Sequence, residues 1–473
     1  MLQFPLVRPQ HPAKRSPAGR VDDHKEIHSE FEPAGAVSQA ARCAQCGVPF
    51  CQVHCPLSNN IPDWLKLAAE GRLREAYDLA ASTNPMPEIC GRICPQDRLC
   101  EGHCVVEQSG HGAVTIGAIE KFLADTAFEN GWVNSLGARP ARADSIGIVG
   151  AGPAGLAAAE QLRKHGYRVA LYDRHDRAGG LLIYGIPNFK LDKKIVQRRV
   201  SRLEDAGVEF KLGVEIGRGV SLEELRQRHT AVLLATGACR ARNIEAAGTS
   251  LSSVVRALDY LIASNRKGLG DSVPEFDDGS LDARGKDVVV VGGGDTAMDC
   301  VRTAVRQRAA SVTCLYRRDR AGMPGSAREV QHAEEEGVRF EWLASPDAME
   351  GAESVEIVRG ARMRLGAENT SGRCAAEKTD ARFELKAQMV VVAAGFDPEP
   401  LPQALSEPEL VTRSGGRLWI NPRNFMTSLD AVFAAGDIVR GASLVVWAIR
   451  DGLDAAAAIH AHLCTRQAVH AAE

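Results

Sequence analysis

The stretch SIGIVGAGPAGLAAAEQLRKHGYRVALYDR, residues 145–174, decides the fold of this chain. An apolar strand leads into a Gly-x-Gly-x-x-Gly turn, an alanine-rich helix follows, and a second apolar strand ends at Asp173. The first glycine of such a turn makes it tight, the second lets the backbone approach a pyrophosphate, and the third lets the helix pack closely on the strand. The pattern therefore predicts a βαβ unit of an α/β dinucleotide-binding fold.

The acid at the end of the second strand supports this prediction, because an acidic side chain there accepts hydrogen bonds from ribose hydroxyls. Asp173 follows Gly150 by 23 residues, close to the spacing of the motif. The positive end of the helix dipole would face the phosphates. The candidate nucleotide contacts of this unit are Gly150, Gly152, Pro153, Ala154, Gly155 and Asp173.

A second βαβ unit is DVVVVGGGDTAMDCVRTAVRQRAASVTCLYRR, residues 287–318. Its last strand ends at Arg317 and Arg318 instead of an acid, and guanidinium groups at this place suit the additional 2′-phosphate of NADP. The alternative is that both arginines only solvate a strand end. The candidate contacts of this second nucleotide are Gly292, Gly294, Asp295, Thr296, Ala297, Arg317 and Arg318.

Two nucleotide sites of different type favour hydride transfer from NADPH to a bound flavin as the simplest chemistry. The segment GGLLIYGIPNFKL (179–191) is rich in glycine, which permits close approach of the backbone to a ring system. The segment AAGDIVRGASLVVWAIRDGLDAAAAI (434–459) is typical of a strand, a Gly-Asp turn and a helix. We expect an FAD site built from these two separate pieces of chain, with the NADPH domain inserted between them. The additional FAD candidates are Gly180, Leu181, Gly436 and Asp437.

Eight of the thirteen cysteines lie between residues 43 and 104, in short runs that contain Cys-Pro. Such runs resemble the ferredoxin pattern of iron–sulfur ligands, in which the fourth cysteine of a run binds the other cluster. The pattern predicts one 4Fe-4S cluster held by Cys43, Cys46, Cys51 and Cys104. It predicts a second held by Cys55, Cys94 and Cys100, with Cys90 as the candidate for the remaining ligand.

Zinc and disulfides are the alternatives for these cysteines. Zinc sites favour paired short spacings separated by a longer loop, and zinc has no redox chemistry to offer a flavin. Structural disulfides are rare in the cytoplasm. No Cys-x-x-Cys or Cys-x-x-x-x-Cys follows Cys104, so the sequence does not indicate a flavin-dependent disulfide reductase.

The chain has 473 residues, which predicts about two to four domains. Its N-terminus and its apolar pattern favour a cytoplasmic protein. A net charge of −3 indicates no tendency to bind nucleic acid. The sequence shows neither the apolar core of a signal peptide nor an apolar run of about 18 residues, so no membrane contact is expected. We expect a helical iron–sulfur domain over 1–143, FAD-binding parts over 144–284 and 397–473, and the NADPH-binding domain over 285–396.

The order of motifs resembles the small (β) subunit family of bacterial NADPH-dependent glutamate synthase, from about residue 40 to 460. The motifs are CGRICPQDRLCEGHC, GAVTIGAIEKF, GAGPAG, GGLLIYGIPNFKL, GGGDTAMDC and AAGDIVRGASLVVWAIRDG. The resemblance implies a helical iron–sulfur domain followed by two Rossmann-like, adrenodoxin-reductase-like domains for FAD and NADPH. It also implies that Glu120, in GAIEKF, rivals Cys90 as a cluster ligand, the alternative being a surface position on a helix.

The resemblance further implies a reaction and a partner. NADPH would reduce FAD, and electrons would pass through two 4Fe-4S clusters to FMN on a large α subunit, in a hetero-oligomer. That subunit would make L-glutamate from 2-oxoglutarate and glutamine. Two rivals stay open: the same module could serve another reductase, of the pyrimidine-reducing or ferredoxin-coupled type, or the chain could be a zinc-stabilised flavin diaphorase.

Overall fold

The N-terminal region is helical in the computed structural model, which describes residues 1–136, 142–368 and 374–470. Residues 61–83 form two helices instead of one, because Gly71 adopts a left-handed φ of 75° between Ile61–Ala69 and Leu73–Thr83. The helices are α1 Pro17–Arg20, α2 Pro33–Ala40, α3 Phe50–Val53, α4 Ile61–Ala69, α5 Leu73–Thr83, α6 Pro87–Ile93, α7 Val105–Gln108 and α8 Ile116–Glu129.

The core of this region is formed by the apolar faces of α2, α4, α5 and α8. Trp64 is fully buried and packs with Leu65, Ile119 and Leu123. Each large apolar side chain buried in this way contributes about 1.5–3 kcal/mol. A packed core between short helices therefore fixes the loops and helix ends that carry the eight clustered cysteines.

The first βαβ unit lies in the segment 145–234, where three strands are mostly buried apolar runs, as expected for parallel strands covered on both faces, and the edge strand at 209–212 is partly exposed. Its elements are β1 Ser145–Val149, α9 Pro153–Lys164, β2 Arg168–Asp173, α10 Leu181–Tyr184, α11 Lys193–Asp205, β3 Glu209–Leu212, α12 Leu222–Arg228 and β4 Ala231–Leu234.

The second βαβ unit lies in a longer segment that contains two further sheets. A five-stranded parallel sheet has the order β6-β13-β7-β8-β9, and β10, β11 and β12 form an antiparallel sheet. The elements are β5 Arg240–Ala241, β6 Val254–Arg256, α13 Ala257–Gly268, α14 Pro274–Asp277, β7 Asp287–Val291, α15 Asp295–Arg306, β8 Ser311–Tyr316, α16 Ala327–Glu335, β9 Arg339–Trp342, β10 Ala344–Glu350, β11 Ile357–Glu368, β12 Cys374–Lys386, β13 Met389–Val392 and β14 Phe396–Asp397.

The C-terminal segment returns to the first sheet. It contains α17 Leu401–Ala404, β15 Val432–Ala434, α18 Asp437–Arg440 and α19 Val445–His470. The strand β15 pairs in parallel with β4 and completes the order β15-β4-β1-β2-β3. The long helix α19 packs on α9 so closely that a Cβ built on Gly452 would lie 2.2 Å from the Ala154 carbonyl oxygen. The second nucleotide unit is therefore inserted between two pieces of the first.

A two-stranded antiparallel ribbon, β5 with β14, joins the two parallel sheets. The edge strand β6 of the second sheet comes well before residue 285, where the sequence pattern suggested that the inserted domain begins. Only three residues form this strand, too few for a periodicity to be recognised. Within the described ranges, every helix is too short or too polar to span a lipid bilayer.

Candidate functional site

The thiols of Cys43, Cys46, Cys51 and Cys104 lie around one cavity of the helical region. Cys43 follows α2, Cys51 is in α3, and Cys104 precedes α7. Apolar side chains, among them Leu65, complete the wall. The turn between residues 43 and 51 and the distant residue 104 are thus brought together, as the ferredoxin spacing predicts.

A second cavity is lined by the other four clustered cysteines and by a carboxylate. The five side chains belong to Cys55, Cys90, Cys94, Cys100 and Glu120. Cys90 is on α6, Cys94 ends that helix, and Glu120 extends from α8. Val446 of α19 lines the same cavity. The cavity therefore borders the fold that carries the first glycine turn, residues 145–234 and 401–470, which is called the flavin-type fold below.

The donor chemistry of both cavities fits iron–sulfur clusters. All thirteen cysteines carry free thiols. Burial raises the pKa of Cys51 to about 12 and that of Cys55 to about 11, so these thiols keep their protons unless a cation replaces them. Among the residues that the structure describes, no three His, Cys, Asp or Glu side chains are grouped tightly enough to hold a single metal ion. Cysteine thiolates are the ligands that hold 4Fe-4S clusters, so the cysteine side chains around each cavity fit such a group.

Glu120 is buried at the second cavity, and two amides fix one of its oxygens. Its Oε1 accepts hydrogen bonds from Asn84 Nδ2 at 2.9 Å and from Asn59 Nδ2 at 3.4 Å. Asn84 Oδ1 accepts from the Met86 backbone N–H, and Asn59 Oδ1 accepts from Trp64 Nε1, so both amides must present their NH2 groups to the carboxylate. Burial raises the pKa of Glu120 to about 8. The sequence gives no local signal for either asparagine.

The first glycine turn leaves an open cradle at the N-terminus of α9. Gly150 has a φ of 110°, and a Cβ on Gly155 would lie 2.0 Å from the Gly150 carbonyl oxygen. A Cβ on Gly152, in contrast, would meet no atom within 4 Å. The turn therefore requires glycine at positions 150 and 155 for its own geometry, and position 152 faces space that fits a pyrophosphate. Thr236 Oγ1 is buried near this turn without a hydrogen-bond partner.

Asp173 ends β2 beside this turn. Its Oδ2 accepts a hydrogen bond from the Ala151 N–H at 2.7 Å, and its Oδ1 accepts from the His175 N–H at 2.9 Å. Burial opposes ionisation, but the hydrogen bonds from His175 and Ala151 outweigh it and lower the pKa of Asp173. The carboxylate is thus ionised and oriented, with further acceptor capacity for a ribose hydroxyl.

The two other pieces of the expected flavin site also reach the N-terminus of α9. A Cβ on Gly180 would lie 2.9 Å from Gly152 Cα, and one on Gly436 would lie 3.0 Å from Ala154 Cβ. Asp437 follows and accepts a hydrogen bond from Ser443 Oγ at 2.6 Å, while burial raises its pKa. Leu181 begins α10 next to Gly180, and Pro153 begins α9. The structure therefore brings the candidate FAD residues of both pieces together.

The second glycine turn has the same form at the N-terminus of α15. Gly292 has a φ of 150°, and a Cβ on Gly294 would meet no atom within 4 Å. Asp295, Thr296 and Ala297 form the first turn of the helix. Asp295 Oδ1 accepts a hydrogen bond from the Ser326 N–H at 2.9 Å, a contact that the motif did not indicate.

The two arginines differ in their surroundings. Arg317 is exposed at the end of β8. Arg318 is half-buried and donates from Nε to the Cys374 carbonyl oxygen at 2.9 Å. Arg317 thus remains the more accessible cation for a 2′-phosphate.

Fold and site together define an NADPH-dependent flavin oxidoreductase with an iron–sulfur domain. Residues 20–132 match the family described as dihydropyrimidine dehydrogenase domain II, 4Fe-4S cluster. Residues 144–452 match the family described as pyridine nucleotide-disulphide oxidoreductase.

The chain belongs to the glutamate synthase [NADPH] small chain family. It is 58% identical to the glutamate synthase [NADPH] small chain of Azospirillum brasilense over 98% of this chain and 96% of the relative. It is 43% identical to that of Escherichia coli over 96% of this chain and 97% of the relative. The solved structure of Mycobacterium tuberculosis FprA in complex with NADPH has a TM-score of 0.59 at 22% identity, covering 70% of this chain and 86% of FprA, and supports the fold.

These findings confirm the expected α/β fold, the oxidoreductase class and the presence of FAD, NADPH and 4Fe-4S chemistry. They also decide against the zinc-stabilised diaphorase, because the helical region itself matches a 4Fe-4S family.

Proposed function

We propose that the chain oxidises NADPH and passes the electrons to a larger partner chain, using FAD as the hydride acceptor and two 4Fe-4S clusters as single-electron carriers. The partner would be the large subunit of glutamate synthase, which would carry FMN and make L-glutamate. Unpaired buried thiols support a reducing compartment, the cytoplasm.

The observation that carries this proposal is the contact between the second cavity and the flavin-type fold. Val446, near the start of α19, lines the cavity together with Cys55 and Cys94. Leu57 and Ile89 from the helical region share one apolar core with α9 and α19. Since α19 follows the Gly436–Asp437 turn, the second cavity lies beside the proposed flavin site, and electrons need not cross solvent.

We propose roles for individual residues, which the geometry described above supports. For FAD we propose Gly150, Gly152, Pro153, Ala154, Gly155, Asp173, Gly180, Leu181, Gly436 and Asp437. For NADPH we propose Gly292, Gly294, Asp295, Thr296, Ala297, Arg317 and Arg318. For the first cluster we propose Cys43, Cys46, Cys51 and Cys104, and for the second Cys55, Cys94, Cys100 and Glu120.

Glu120 is preferred to Cys90 as the fourth ligand because the protein positions it. Two fixed amides orient its carboxylate at the cavity, whereas the Cys90 thiol has its own acceptor, Asn84 Oδ1, at 3.7 Å. Partners of this kind, which hold a ligand in place, are a common feature of metal sites.

The test is an anaerobic pull-down of the tagged chain from its own host. Co-purification of a much larger flavoprotein whose mature chain begins with cysteine would support the assignment. A different reductase as partner, or NADPH-dependent dye reduction without any partner, would overturn the choice of glutamate synthase. Iron and acid-labile sulfide analysis of the same sample checks the cluster assignment separately.

A further inference from the structure

We infer that the loop between Cys94 and Cys100 is part of the NADPH site: Asp97 and Arg98 hold the wall of the second glycine turn in place, so the iron–sulfur region contributes to nucleotide binding. Residues 95–101 are called the bridging loop here, and residues 323–328, which precede and begin α16, are called the wall segment. The inference rests on the proposed position of NADPH at Gly292–Ala297.

Arg98 ties the bridging loop to the backbone of the wall segment. Its guanidinium donates hydrogen bonds to the carbonyl oxygens of Met323, Pro324 and Gly325. Three successive carbonyls bound by one cation leave this stretch of backbone little freedom. Hydrogen bonds from a charged donor are also about twice as strong as those between neutral groups.

Asp97 caps helix α16 from outside its own chain segment. Its Oδ1 accepts from Ser326 Oγ and its Oδ2 from the Ala327 N–H, both at 3.1 Å. The N-cap residue Ser326 provides no side-chain cap of its own. A carboxylate at a helix N-terminus satisfies a free N–H group and interacts favourably with the helix dipole.

Gln96 and Glu101 complete the contact through Arg328. The Arg328 guanidinium donates to Gln96 Oε1 at 3.1 Å and to Glu101 Oε2 at 2.9 Å. Side chains of the bridging loop therefore contact the beginning, the middle and the end of the wall segment.

The wall segment in turn lies directly on the second glycine turn. The Gly325 N–H donates to the Gly293 carbonyl oxygen at 2.8 Å, and the Ser326 N–H donates to Asp295 Oδ1 at 2.9 Å. A Cβ on Gly325 would lie 3.0 Å from the Gly293 carbonyl oxygen, so the two backbones are in close contact. A displacement of the wall segment would thus move the residues proposed to bind the pyrophosphate.

The other side of the bridging loop belongs to the second cavity. Cys94 directly precedes the loop, Cys100 lies within it, and both line the cavity together with Gln96. Gln96 Nε2 also donates to the carbonyl oxygens of Cys90 at 3.3 Å and Gly91 at 3.1 Å. One hydrogen-bonded path of few residues therefore connects the second cavity with the nucleotide site. Coupling of this kind acts in both directions.

The experiment measures the Kd of NADP+ by isothermal titration of the holoprotein. Arg98→Ala should weaken NADP+ binding by about 10-fold or more, because it removes charge-assisted hydrogen bonds that hold the site. FAD and iron contents should stay unchanged, because the side-chain hydrogen bonds of Arg98 go to the wall segment and not to the clustered cysteines or the first glycine turn. Arg98→Lys, which keeps the charge and some donors, should restore part of the affinity.

Arg320→Ala is the matched control. Arg320 lies close to the wall segment in sequence, but its side chain is exposed and forms an ion pair with Glu334 on α16 instead of a contact with the bridging loop. This variant should change the Kd of NADP+ by less than about twofold. If Arg98→Ala also binds within about twofold of the original protein, the inference is wrong.

Ser326→Ala decides the question if Arg98→Ala fails to fold or to retain iron. It removes the hydroxyl group that donates a hydrogen bond to Asp97 Oδ1. Residue 326 is also distant in sequence from the clustered cysteines. We expect weaker NADP+ binding with normal iron content, and unchanged binding would overturn the inference. If the unmodified holoprotein itself does not bind NADP+, the proposed nucleotide site fails instead, so the two failures are distinguishable.

Discussion

Arg199 and Glu88 form a buried bidentate ion pair, with Nε–Oε1 and Nη2–Oε2 distances of 2.8 and 3.0 Å. Their side chains are 2% and 0% exposed. The pair joins α11 of the flavin-type fold to α6 of the iron–sulfur region. In α6, Glu88 lies two residues before Cys90. Glu160 is a second partner of Arg199, at 3.1 Å. Burial opposes ionisation of Glu160, but its cationic neighbours outweigh this and lower its pKa to about 2.

We predict that Arg199→Met lowers the free energy of unfolding by about 3–5 kcal/mol, because two carboxylates lose their buried cation. Urea unfolding of the holoprotein measures the change. Arg242→Ala removes an exposed pair with Asp397 and should cost less than about 1 kcal/mol. Equal losses in both variants would contradict a special role of the buried pair.

The two open glycine turns predict that one substitution in each turn affects one nucleotide and not the other. Gly152→Val should abolish FAD binding, and Gly294→Val should weaken NADP+ binding while FAD remains bound. A Cβ at either position meets no protein atom within 4 Å, so both variants should fold. Flavin absorbance and NADP+ titration measure the two effects, and each variant is the control for the other. Retention of FAD by Gly152→Val would refute the proposed pyrophosphate position.

The strand end at Arg317 and Arg318 should determine the choice between NADPH and NADH. Replacing both by alanine should lower the NADPH preference in kcat/KM by about 10-fold or more, since a charged phosphate loses its partners. Because Arg317 is exposed and Arg318 also binds the Cys374 carbonyl oxygen, Arg317→Ala should cause most of the change. An unchanged preference would show that the 2′-phosphate lies elsewhere.

Glu120 and Cys90 make opposite predictions for iron content. Glu120→Ala should lose about half of the iron, because only one of the two proposed clusters would depend on it. Cys90→Ser keeps a hydrogen-bond donor toward Asn84 Oδ1 and should retain the iron. Iron per chain and the electron paramagnetic resonance spectrum of the reduced protein are the measurements. The reverse result would assign the ligand to Cys90.

His28 predicts that stability falls as the pH drops below about 6.5. Burial, with His332, Arg328 and His11 nearby, lowers the pKa of His28 from 6.5 to about 4. The unfolded chain therefore binds one more proton than the folded chain between these values, at a cost of about 1.4 kcal/mol per pH unit. Above pH 6.5, His28 is neutral in both states and does not change the free energy of unfolding. Thermal unfolding at pH 5 and 7.5 should show a smaller pH effect for His28→Gln than for the original protein, and an equal effect would exclude His28 as the cause.

Local patterns predicted the glycine turns and the parallel strands that flank them, because each βαβ unit is encoded within about 30 residues. The antiparallel sheet β10–β12 was not predicted, since its strands carry charges on solvent-facing positions throughout. The ion pair Glu88–Arg199 and the contact of Arg98 with the wall segment had no local signal either. Their partners are 111 and more than 200 residues apart in sequence.

The position of β15 next to β4 has a consequence for biogenesis. Synthesis from the N-terminus releases the first glycine turn early, but its sheet lacks an edge strand and α9 lacks its covering helix until residues 432–470 have emerged. The inserted unit, whose strands all lie between residues 254 and 392, is complete before then and can fold first. A chain terminated before the last helix would thus contain a folded inserted unit but would lack an intact flavin site. Flavin retention accordingly reports that translation reached α19.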